Sequence, residues 1–144
     1  MHHLNLNPFG RADSIAAAAL AALLIAAGSL ATVAATTAPA DLEGAWSGGG
    51  KIHYPSGETE SARCRARFTK RGGSGYSMTA VCATPSARVE QTATLSRSGP
   101  NRFAGDFQNS EYGISGSIHI TVNGNSLSAS LNGGGGSASF SLSR

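Results

Sequence analysis

Residues 62–68 read Ala62-Arg63-Cys64-Arg65-Ala66-Arg67-Phe68, and residues 76–82 read Tyr76-Ser77-Met78-Thr79-Ala80-Val81-Cys82. In each run one parity is apolar or small throughout, and the other is mostly polar. A period of two is the mark of a strand with one buried face. The intervening Arg71-Gly72-Gly73-Ser74-Gly75 has the glycines that a chain reversal uses. Pairing Cys64 with Cys82 sets Ala66 opposite Ala80 and Phe68 opposite Met78, so the bridge and the apolar face agree on one register. A slip of one residue would turn one of the faces outward.

The same alternation recurs on either side. Before the pair, Trp46, Gly48, Gly50, Ile52 and Tyr54 share one face, and Pro55-Ser56-Gly57 turns the chain. After it come Val89, Gln91, Ala93 and Leu95, then Phe103, Gly105 and Phe107, then Ile114, Gly116, Ile118, Ile120 and Val122. Asn123-Gly124 reads as a two-residue type I′ hairpin turn. Such a turn places Val122 opposite Asn125, Ile120 opposite Leu127 and Ile118 opposite Ala129. Leu127, Ala129 and Leu131 form the seventh run. Beyond Gly133–Gly136, Ala138, Phe140 and Leu142 form the eighth. No helical period interrupts them. The expected fold is all-β: an eight-stranded antiparallel up-and-down meander, closed into a barrel because closure removes the two raw edges. A two-layer sandwich is the second choice. The outward Ser, Thr, Arg and Glu side chains argue against a membrane barrel, where lipid would require apolar ones.

The first 40 residues are of another kind. No charged residue occurs from Ser14 to Ala40, and Ile15–Ile25 is an apolar, alanine-rich run followed by small residues. This is the composition of a hydrophobic signal helix that ends in a peptidase site. Ala38-Pro39-Ala40 offers a cut before Asp41, and Val33-Ala34-Ala35 a second one. Ile15–Ala35 is also long enough to remain as an uncleaved anchor, although alanine contributes little to insertion. The expected domains are therefore 1–40, a signal peptide, and 41–144, the β-barrel, in a periplasmic or secreted protein. Residues 41–144 carry 10 Lys and Arg against 7 Asp and Glu. That excess is too mild for a nucleic-acid binder. An oxidising compartment favours pairing of Cys64 with Cys82.

Trp46-Ser-Gly-Gly-Gly50, Arg63-Cys-Arg-Ala66, Cys82-Ala83 and Gly113-Ile-Ser-Gly116 together resemble a family of small exported bacterial proteins of unknown function. The resemblance extends over Gly44 to Arg144. It implies a signal peptide and a paired Cys64 and Cys82, and carries no activity. Gly44-Ala-Trp46 is also similar to the Gly-x-Trp opening of lipocalin-like and avidin-like barrels, in which the Trp plugs the closed end. Bacterial barrel inhibitors of metalloproteases are similar in this opening, in an early Cys pair and in their address.

Two sets of candidate binding residues follow. Gly48 and Gly50 remove side chains from an inward face. They either admit a close neighbour or leave space near Trp46, Phe68 and Tyr76 for a small apolar ligand. Arg63, Arg65 and Arg67 project from the opposite face of their strand, and Lys51 shares that parity on the preceding one. This basic patch suits an anionic envelope component, or simply keeps the surface solvated. Of the histidines only His53 and His119 lie beyond the signal, on separate outward positions, so the sequence offers no metal site and no catalytic constellation. No cofactor is expected. The reading is a non-enzymatic exported binding module. The alternatives are a module that binds another exported protein, such as a periplasmic protease inhibitor, and a structural envelope protein.

Overall fold

The computed structural model describes residues 28, 30–34 and 38–144. The signal helix expected over the apolar leader, and the cut after Ala35, lie outside the described residues. From Gly44 onward the chain forms eight strands: β1 (Gly44–His53), β2 (Thr59–Lys70), β3 (Gly75–Ala83), β4 (Arg88–Gly99), β5 (Arg102–Asn109), β6 (Ile114–Asn123), β7 (Ser126–Gly133) and β8 (Gly136–Ser143). Each pairs antiparallel with the next, and β8 pairs back with β1, which closes the sheet into a barrel. Closure, rather than a sandwich, leaves no strand edge unpaired.

The alternating parity sets the interior. Trp46, Phe68, Tyr76, Leu95, Phe103, Ile118, Val122 and Leu127 are all buried, and their neighbours in sequence face out. Cys64 lies directly opposite Cys82 and is disulfide-bonded to it, with Ala66 opposite Ala80 and Phe68 opposite Met78.

The β6–β7 hairpin differs from the sequence reading. Asn123 pairs with Ser126, so the two turn residues are Gly124 and Asn125, and Val122 faces Leu127 rather than Asn125. Ile120 accordingly faces Ala129, and Ile118 faces Leu131. Gly124 takes a φ of 62°, whereas among the described residues no non-glycine residue has a positive φ. A type I′ turn at Asn123-Gly124 would place both residues in the left-handed region. A turn with glycine at its first central position needs only one, as in type II′. The pairing moves by two, so every side chain keeps its face.

Gly48 and Gly50 sit on the β1–β8 seam, opposite Leu142 and Phe140. A Cβ on Gly48 would collide with the Ser141 carbonyl oxygen, and one on Gly50 with the Ser139 carbonyl oxygen and the Phe140 ring. Inward glycines of this kind let a sheet bend sharply enough to close. Gly50→Ala is therefore expected to destabilise the barrel by about 1–3 kcal/mol, the usual range for overpacking. The outward Gly49 is the control, because its Cβ would come no closer than 3.3 Å to the Ala62 carbonyl oxygen. Denaturant unfolding of both variants checks this, and equal midpoints would refute it.

Candidate functional site

The two ends of the barrel are built differently. One end carries the β2–β3, β4–β5 and β6–β7 turns, and the segment before β1 closes it. Leu42 is fully buried there, and its carbonyl accepts a hydrogen bond from Trp46 Nε1 at 3.0 Å. Ala40 donates its N–H to the Pro100 carbonyl at 2.9 Å and accepts from Arg97 Nη2 at 2.7 Å. Arg144 donates to the Asp41 and Glu43 carbonyls, and its guanidinium lies 4.3 Å from the centre of the Trp46 ring. Tyr76 stacks edge-on to Phe103 at 5.3 Å and donates its hydroxyl to Asp41 Oδ1 at 3.3 Å. The Glu43 backbone N–H, Lys70, Tyr76 and Arg144 together hold the Asp41 carboxyl below its ordinary pKa, against a smaller opposing effect of burial.

The other end carries the turns 54–58, 84–87, 110–113 and 134–135, and it is not filled. A recess of about 140 Å³ opens there, walled by Ile52, Phe107, Ile114, Leu131 and Ala138, with Tyr54 and Pro55 at its rim. Besides Tyr54, four polar side chains border it: His53, Gln91, Asn109 and Ser137. Gln91 and Leu131 also border a smaller void of about 30 Å³ deeper inside, beside the disulfide, so they form the partition between the two spaces. At the rim Glu60 Oε2 accepts hydrogen bonds from Tyr54 Oη at 2.7 Å and Ser86 Oγ at 2.8 Å. These bonds lower the Glu60 pKa and raise that of Tyr54.

The residues singled out in the sequence occupy several places. Trp46, Phe68 and Tyr76 come together with Leu42 in the packed interior towards the closed end, each no more than 2% exposed. Of these three, only Phe68 borders the deeper void, and none borders the larger recess. Gly48 and Gly50 face the β8 backbone. Arg63, Arg65 and Arg67 form an exposed row on the outside of β2, opposite Gly49, Ser47 and Ala45 of β1. Arg65 and Arg67 share a shallow outer concavity with Thr79, Val81 and Arg144. Lys51 instead borders another concavity with His119, Ser130 and Ser139. His53 bonds Thr59 Oγ1 at 2.9 Å through Nδ1. Among the described residues no group of three or more His, Cys, Asp or Glu side chains is placed to hold a metal ion.

Asn109 was missed, although it continues the inward parity of Phe103, Gly105 and Phe107. An amide at the end of an apolar face was the signal.

No protein-family model and no curated protein matches the chain. Solved structures do match. A redesigned β-barrel, mFAP1, bound to DFHBI, has a TM-score of 0.61 at 13% identity over 72% of this chain and 94% of that one. A de novo designed fluorescence-activating β-barrel has a TM-score of 0.55 at 15% identity over 71% of this chain and 92% of that one. At these identities the likeness is one of fold.

Proposed function

We propose that the protein is an exported, non-enzymatic binding barrel whose ligand is a small apolar molecule seated in the open end. The observation that carries this reading is the recess of about 140 Å³ with its apolar wall. An apolar cavity of roughly 150 Å³ takes up benzene, so this one suits a single ring rather than a drug-sized ligand, which needs about 300 Å³ or more. The barrels of the same fold, one of them bound to DFHBI, support a closed eight-stranded sheet as a scaffold for small ligands. Trp46, Gly48, Gly50, Phe68 and Tyr76 remain part of the proposal as the packed foundation on which the recess stands.

Benzene is expected to bind the full chain with a Kd of about 0.1–1 mM, a modest efficiency for six heavy atoms. Methyl NMR checks it: the Ile52, Ile114, Leu131 and Ala138 methyl resonances should move together on titration. Shifts confined to other methyl groups, or none up to saturation, count against the reading.

Export is supported by the apolar leader and by the Cys64–Cys82 disulfide, a bond typical of oxidising compartments. The contacts of Ala40 at the closed end support the second of the two cuts, after Ala35, over the one before Asp41. A cut after Ala40 would delete both the N–H that Pro100 accepts and the carbonyl that Arg97 reaches. Cleavage after Ala35 keeps them. Intact mass of the exported protein should therefore begin at Thr36, and a mass beginning at Asp41 would contradict this.

A second reading draws on the row of Arg63, Arg65 and Arg67, which with Lys51 offers an anionic envelope component an exposed basic face. The apolar lining of the recess favours the first reading.

A further inference from the structure

Asn109 is the one buried polar residue among the described residues, at 4% exposure. It pairs with Ile114 across the sheet and borders the recess beside Phe107 and Leu131, where the other polar side chains are Gln91, His53, Tyr54 and Ser137, and none of these is hydrogen-bonded to it. The amide has two ends with different fates. Its oxygen accepts the Tyr112 backbone N–H at 3.1 Å and so pins the β5–β6 turn. That contact also fixes which end is oxygen, because an N–H requires an acceptor. The NH₂ end is left over, and among the described residues it has no hydrogen-bond partner. A buried donor without an acceptor is costly, and native proteins rarely leave one unexplained.

Resting on the reading of the open end as a ligand site, we infer that Asn109 selects the ligand: an uncharged, single-ring-sized molecule carrying one hydrogen-bond acceptor, such as a ring nitrogen or a carbonyl oxygen. The apolar wall accounts for the ring, and the 140 Å³ volume limits it to one. The Nδ2 donor accounts for the acceptor. A site that offers a buried donor discriminates strongly against an analogue lacking the matching group, since binding that analogue leaves the donor unpaired. Gln91, on the inner wall, carries both a donor and an acceptor and so does not impose the same choice.

Benzene and pyridine test this, because they share a shape and differ in one acceptor. Both are titrated against the full chain at about pH 8, where pyridine is uncharged, and against Asn109→Leu, which keeps the side-chain size and removes the amide. Pyridine should lose roughly tenfold in affinity relative to benzene in the variant, the worth of one hydrogen bond whose donor is buried. An unchanged pyridine-to-benzene ratio overturns the role of Asn109 while leaving the site itself standing. Failure of both ligands to bind the unaltered chain overturns the site and the inference together. Should Asn109→Leu fail to fold, the unaltered chain still decides: the Asn109 side-chain NH₂ resonances should move downfield with pyridine and stay in place with benzene. Equal movement with both ligands refutes the assignment.

Discussion

Trp46→Ala is expected to cost the barrel about 3–5 kcal/mol, the range for emptying a large aromatic site in a packed core. Three separate losses converge on this residue. Its ring is 2% exposed and is packed into the closed end beside the fully buried Leu42. Its Nε1 donates to the Leu42 carbonyl, which holds the segment before β1 across the barrel. Its outer face receives the Arg144 guanidinium at 4.3 Å, and Arg144 in turn donates to Asp41 and Glu43. Small domains have only about 5–15 kcal/mol in total, so the variant should sit near the edge of folding. Trp46→Phe separates the contributions. It retains most of the ring packing and loses the donor, at a cost of about 1 kcal/mol. Chemical denaturation of the two variants measures the difference, and equal losses would mean that the hydrogen bond, not the ring, holds the end closed. Trp46→Phe also examines the ligand-lining role of Trp46. Benzene affinity at the opposite end should be unchanged, and a loss there would return Trp46 to the binding site.

The closed end and the open end were unequally legible in the sequence, for a physical reason. Strand parity is a local property, so Ala62 to Phe68 and Tyr76 to Cys82 disclosed their inner faces and, once Cys64 was paired with Cys82, their register, whereas the disulfide itself was expected from the compartment that the leader implies. Turn chemistry is nearly as local, yet Asn123-Gly124 misled. The dipeptide permits a type I′ turn, whereas the hairpin needs only Gly124 in the left-handed region, and the register moved by two. The open recess is not local at all. Ile52, Phe107, Ile114, Leu131 and Ala138 come from five different strands, and only closure through β1 and β8 brings them together. Gly48 and Gly50 show the same limit from the other side. In sequence they offered either room for a ligand or a close neighbour, and the deciding fact is the approach of β8, some ninety residues later in the chain. Leu42 and Ala40 were passed over because they precede the first alternating run, although the closed end depends on both.

Removing the Cys64–Cys82 bridge, by Cys64→Ala with Cys82→Ala or by reduction, should lower stability by about 3 kcal/mol, as loop entropy predicts for a separation of 18 residues. For a domain of about 100 residues this corresponds to a fall in Tm of roughly 12–24 °C. The bridge joins directly opposed residues of β2 and β3, so it reinforces a hairpin that is already local in sequence. It does nothing for the β1–β8 seam, which joins the most distant strands and relies on the glycine approach instead. A barrel closed by such a distant pairing is slow to form, and a stable β2–β3 hairpin gives the growing sheet a fixed starting pair. Both sulfurs belong to residues at most 5% exposed. Reductant should therefore act only through opening of the barrel, and the bridge should survive mild treatment of the folded protein. Thermal melts of oxidised and fully reduced protein decide the matter. If the two coincide, the bridge contributes nothing to the stability of the fold.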